Sequence, residues 1–168
     1  ASIPDHPPFA IDIVAERRGS VALASGMPIE ARRAVSDVAA TDIVIVPSIL
    51  LGPNGWMTGR YPELVDWVLR MHGGGASICS ACSGVFLLAE TGLFDGHVST
   101  VHCAYAEAFS KVFPQVPLRP DRVLVVSGTR DELVTSGASM TWHDLVLYLI
   151  TRHVGATAAQ TVARSFAL

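Results

Sequence analysis

Short aliphatic runs alternate along the chain with longer stretches in which apolar residues recur every three or four positions. The first pattern is that of a buried strand and the second that of a helix with one apolar face. Their alternation predicts an α/β fold, with a mostly parallel sheet between helices. Residues 11–15 and 43–46 are compact aliphatic runs, the second bracketed by Asp42 and Pro47, and both are expected as buried central strands, each followed by a loop. Residues 47–59 hold two Pro and three Gly around Trp56 and are expected as a long surface loop, a common place for a site.

Residues 61–72 place Leu64, Val65, Val68, Leu69 and Met71 on a helical face that stops at Gly73, Gly74 and Gly75. A strand over 76–79, a helix over 83–91 closed by Gly92, the end of a short strand over 100–103 and a helix over 104–113 follow. Residues 123–126 and 133–135 predict two more short strands joined by the polar turn 128–132. Two helices follow, over 139–153 and over 156 to about 167.

The 168 residues suit one domain, 1–168, with a core of ordinary size. Composition, 50% apolar and 16% charged, excludes a disordered or fibrous chain. No apolar run approaches the roughly 20 residues that span a bilayer. Residues 1–8 lack the basic and apolar blocks of a signal peptide. A cytoplasmic protein is therefore expected. The formal charge is −3 and the only cationic pairs are Arg17-Arg18 and Arg32-Arg33, so the chain by itself is not expected to hold DNA. Three cysteines, an odd number, fit free thiols better than a disulfide framework.

The candidate chemistry centres on Cys82, at a tight turn between the strand ending near Cys79 and the helix that begins at Ser83. The unpaired N–H groups and positive end of a helix start favour a thiolate and could stabilise an oxyanion. The bland alternative is a small buried hydrophobe. Cys79 and Cys82 form a formal C-x-x-C. The first cysteine, however, closes a strand, unlike the thioredoxin arrangement, and no second pair of ligands exists for zinc. His102 could act as base or thiolate partner, or be a plain loop or core histidine. His143 and Asp144 open a helix and are placed outside the chemistry. Trp56, Trp67 and Trp142 could line a pocket or a dimer interface, and Trp67 is assigned to the core.

Residues 82–96, then Ser99-Thr100-Val101-His102, Phe113-Pro114, Pro120-Asp121-Arg122 and Thr135-Ser136-Gly137-Ala138-Ser139 together resemble the amidotransferase-like sensor domain of AraC-type transcriptional regulators, within the ThiJ/PfpI (class I glutamine amidotransferase-like) superfamily. Order and spacing match over about the last hundred residues. The resemblance implies a flavodoxin-like three-layer sandwich with a mostly parallel central sheet. It also implies that residues 1–168 lack the family's first strand-helix unit and the helix-turn-helix domain that would follow Leu168. In the wider superfamily the elbow cysteine is a nucleophile, often with a histidine where His102 stands. Here the partner acid is not found, the family's Pro-Gly-Gly reads Pro47-Ser48-Ile49, and Cys103 replaces a common aromatic.

The resemblance thus implies a ligand-sensing and dimerisation domain, non-catalytic, with DNA bound only through a separate domain. Its pocket for a small molecule is expected from Cys82, Ser83, His102, Ser48, Ile49, Ser136 and Gly137, at strand ends where α/β sheets place ligands. The alternative is a cysteine-dependent hydratase, amidase or glyoxalase with Cys82 as nucleophile and His102 as base. A third possibility is redox sensing through Cys82 with Cys79 or Cys103. No cofactor, metal or membrane partner is expected.

Overall fold

The strand Ser77–Ala81 (β6) lies inside a four-stranded sheet in the order β5-β6-β8-β7, where β5 is Ile43–Val46, β8 is Leu133–Ser136 and β7 is Leu124–Ser127. This is a computed structural model of the chain, and it describes residues 7–168. β5, β6 and β8 run parallel, with Ile43 opposite Ser77 and Ile78 opposite Leu133, and β7 closes the sheet antiparallel to β8. Alternation of side chains along a strand sends Ile78 and Cys79 to opposite faces.

Each face carries a helical layer. On one side Ile78, Val44 and Leu133 pack with Trp67, Val68 and Met71 of α1 (Pro62–Gly73) and with Phe86 and Leu88 of α2 (Val85–Ala89). Phe86 is fully buried and meets Phe109 of α3 (Ala106–Val112) edge-on at 5.0 Å. A buried side chain of this size contributes about 1.5–3 kcal/mol, so this aromatic group anchors the layer. On the other side Cys79 and Val134 lie under Leu145 and Leu149 of α4 (Trp142–His153), and α5 (Ala156–Phe166) packs on α4. The three-layer α/β sandwich with a mostly parallel sheet is present. Trp67 is a core residue, with its indole N–H donated to the Val38 carbonyl at 3.1 Å.

Several expected boundaries shift. Only Val14–Ala15 (β1) of the run 11–15 is strand, paired in parallel with Arg33–Ala34 (β4) outside the main sheet. Ile11 and Ile13 are exposed, so the run is not a buried central strand. The chain beyond it turns at once into a hairpin, Gly19–Ala22 (β2) against Pro28–Ala31 (β3), rather than a loop. Its signal was Ser25-Gly26: Gly26 takes φ +81° and donates its N–H to the Leu23 carbonyl, closing the turn. Run 43–46 is a strand, but an edge strand paired only with β6, and Ile45 is 47% exposed.

Residues 100–103 are not a strand. Thr100 donates its N–H to the Thr135 hydroxyl, a side chain in place of a ladder partner, and Cys103–Tyr105 form a 3-10 turn. The helix expected from Ser83 begins as a 3-10 turn over Cys82–Gly84 and becomes α-helical only at Val85. The helix expected from Ser139 starts at Trp142, because the Thr141 hydroxyl bonds back to Ala138 and holds the preceding residues in a turn.

Candidate ligand site at the Cys82 turn

β6 delivers Cys82 to the carboxyl edge of the parallel strands. Ala81 is still extended, Cys82 takes the left-handed φ of 52°, and the chain then coils into helix. A left-handed conformation in a non-glycine residue costs about 1–2 kcal/mol, and such strain concentrates at functional turns. The turn fits because Gly84 has no side chain. A Cβ there would meet the carbonyl oxygen of Val46, and that of Pro47 at 2.6 Å, so the helix start lies directly against the end of β5.

Ser83 locks the same junction. Its hydroxyl donates to the Ile49 carbonyl at 2.6 Å and accepts the Ile49 N–H at 2.9 Å. One hydroxyl has one proton, so in the 2.9 Å contact between Ser83 Oγ and Ser48 Oγ, Ser48 is the donor. Ser83 and Ile49 therefore act on each other.

A cavity of about 300 Å³ opens beside the thiol, lined by Ile45, Pro47, Ser48, Cys82, Trp142 and Val146 among others. Of the seven residues expected to form the pocket, it brings together Cys82 and Ser48. Ser136 is fully buried with its hydroxyl donated to the Ser80 carbonyl at 3.3 Å. Gly137 is packed so that a Cβ would meet the Thr100 hydroxyl at 2.6 Å. Trp142, whose sequence position suits a pocket or a dimer interface, lines the cavity. Val146 follows it on the same face of α4, a position that only the sheet's placement against that helix reveals. A larger, shallower groove of about 560 Å³ runs along β7 and α4 past Asp121 and Tyr148, away from Cys82 and outside every motif residue but Asp121 and Arg122.

His102 Nδ1 accepts the Ala104 N–H at 3.2 Å and lies 4.0 Å from Cys103 Sγ. An accepting Nδ1 carries no proton, so the neutral ring is protonated on Nε2. Among the described residues no hydrogen bond joins His102 to Cys82. The three thiols differ sharply: Cys79 is fully buried, Cys82 is 9% exposed, and Cys103 is exposed. Burial pushes the Cys79 thiol up to about 12, against a small opposing pull from Arg152, so it stays protonated and is no nucleophile.

The sheet order, the left-handed cysteine at the strand-to-helix turn and the serine-locked loop define an α/β domain with a candidate site at the carboxyl edge of its parallel strands. The sequence profile of the DJ-1/PfpI family matches residues 7–152, and the chain belongs to that family. It is similar to the HTH-type transcriptional regulator CdhR of Pseudomonas aeruginosa, 31% identical over 107 residues covering 64% of this chain and 31% of that protein. It is also similar to the HTH-type transcriptional regulator GbdR of the same species, 26% identical over 84% of this chain and 36% of that protein. The chain thus spans about a third of the length of the curated relatives it matches. Among solved structures, an AraC family transcriptional regulator from Pseudomonas putida superposes with a TM-score of 0.73 at 18% identity, covering 91% of this chain and 78% of that one. Drosophila melanogaster DJ-1beta superposes with 0.74 at 22% identity, covering 89% and 77%. Among the described residues no helix is long and apolar enough to cross a membrane, and no group of three His, Cys, Asp or Glu side chains converges as for a metal.

Proposed function

We propose that this domain is the ligand-sensing and dimerisation part of a cytoplasmic AraC-type transcriptional regulator, non-catalytic, with DNA contacted through a separate domain. The regulator class is supported by its likeness to two HTH-type regulators and by the motif string from Cys82 to Ser139. The observation that carries the non-catalytic reading is the commitment of His102 Nδ1 to the Ala104 N–H, so that among the described residues no hydrogen bond joins His102 to the Cys82 thiol. In this reading the cavity beside Cys82 and Ser48 holds a small molecule, and occupancy is passed on through a homodimer.

The test is a thermal-shift screen of a metabolite library, with each hit assayed for turnover on wild type and Cys82→Ala. A ligand near 100 times its Kd stabilises by about 2.7 kcal/mol, a clear shift. Stabilisation without consumption is the expected result. One observation favours an enzyme instead, the strained left-handed Cys82 at a helix start. Consumption of small amides, isonitriles or glyoxals that is lost in Cys82→Ala establishes that reading and overturns the first.

A further inference from the structure

Two attachments hold the loop over residues 47–59, and both come from the helical stretch that starts at Cys82. At the near end Ser83 grips Ile49 and Ser48. At the far end Glu90 reaches across with both carboxylate oxygens: Oε1 accepts the Trp56 indole N–H at 2.6 Å and Oε2 accepts the Gly59 backbone N–H at 3.0 Å. The Trp56 ring continues the contact, with centroids 5.5 Å from Phe86 and 6.3 Å from Tyr61. Between the attachments Leu50 is 65% exposed, and the Gly55 N–H closes a tight turn onto the Gly52 carbonyl.

Glu90 itself is half-buried, and among the described residues no Lys, Arg or His lies within ion-pair distance of it. Both of its oxygens are taken by donors from the loop. Hydrogen bonds to an ionised carboxylate are shorter and about twice as strong as neutral ones, and here two of them converge on one side chain.

We propose that Glu90 is a positioning residue for the Cys82 cavity: its carboxylate latches the far end of the 47–59 loop to the helix after Cys82 and so helps fix Pro47 and Ser48, the loop residues that line the cavity. This rests on reading that cavity as the sensory site. Its test follows the loop directly and needs no ligand, so it fails or stands apart from the screen above.

The experiment is amide hydrogen exchange on the full chain, comparing wild type, Glu90→Gln, Trp56→Phe, the double variant and Glu90→Ala. Glu90→Gln keeps the shape but leaves one accepting oxygen, and Trp56→Phe keeps the ring packing but removes the indole donor. Peptides over 47–59 are expected to exchange at least tenfold faster in each single variant, with β8 and α4 unchanged. The double variant, Glu90→Ala with Trp56→Phe, gives less than the product of the single effects, because Glu90→Ala already removes the acceptor of the Trp56 indole N–H. In a Cys103→Ser background the rate of Cys82 alkylation by iodoacetamide rises in parallel. Exchange over 47–59 that matches wild type, that rises equally in every peptide, or that multiplies in the double variant overturns the proposal. Should Glu90→Ala fail to fold, the Gln and Phe variants decide it.

Discussion

Ser83 and Ile49 are joined in both directions, hydroxyl to carbonyl at 2.6 Å and amide to hydroxyl at 2.9 Å, across 34 positions of sequence. This pair ties the loop after β5 to the helix start after β6. Ser83 is itself buried and Ile49 half-buried, so Ser83→Ala strands the Ile49 N–H and carbonyl where water has poor access, while the exposed Ser48 hydroxyl can turn to water. Unmet buried polar groups cost about 1–3 kcal/mol, so chemical denaturation should show a loss in that range. Ser83→Cys, with a weaker donor and acceptor, should fall between. A Ser83→Ala protein as stable as wild type rules out the lock.

Gly84→Ala should be worse than its size suggests. Its Cβ would press on two backbone carbonyls, those of Val46 and Pro47, which cannot rotate aside as a side chain would. Overpacking of this kind costs about 1–3 kcal/mol, and here relief requires the end of β5 to move. Urea unfolding that shows no change in midpoint contradicts the close approach.

The Cys82 turn was legible in sequence because its parts are local: an apolar strand, a cysteine, a small residue and an apolar helix. The cavity was less so. Cys82 and Ser48 were expected together from strand ends, but Ser136 and Gly137, also at a strand end, are packed inward against Ser80 and Thr100. Which way a strand-end residue faces depends on the register between β6 and β8, with Ala81 opposite Ser136, and no single-strand pattern encodes it. Run 11–15 shows the same limit. Its aliphatic composition is that of a buried strand, yet Asp12 pairs with Arg33 at 2.7 Å and the run lies outside the main sheet. The role of Glu90 carried no local signal, since its partners Trp56 and Gly59 lie 34 and 31 positions away.

The three thiols should separate cleanly under alkylation followed by mass spectrometry. Cys103, exposed on its 3-10 turn, should be modified first, and Cys82, 9% exposed at the cavity, more slowly. Cys79 should react only on global unfolding, because burial both shields it and raises its thiol to about 12. Its labelling rate should therefore follow denaturant as stability does. Modification of Cys79 before Cys82 under native conditions would contradict the packing of Cys79 against Leu145 and Leu149.

Acid should weaken the fold through a small set of carboxylates. Glu132, at the start of β8, is pushed up by burial. Its own backbone N–H, the Arg130 N–H at 2.8 Å and His72 Nε2 at 3.5 Å outweigh that and hold it below the usual glutamate value. Asp37 is drawn down to about 2, first by its hydrogen bond from Arg18 and then by the Ala34 N–H. For both groups the folded state binds its proton more weakly than the unfolded state. Their contribution is therefore complete above the unfolded values near pH 4 to 4.5 and is lost as pH falls below them, for Asp37 toward 2. Glu132→Gln should be less stable than wild type at pH 7, with the gap in Tm narrowing as pH falls below about 4.5. Arg18→Ala should flatten the acid limb in the same window. A Glu132→Gln gap that stays constant down to pH 2 would mean that the carboxylate charge is not what stabilises the start of β8.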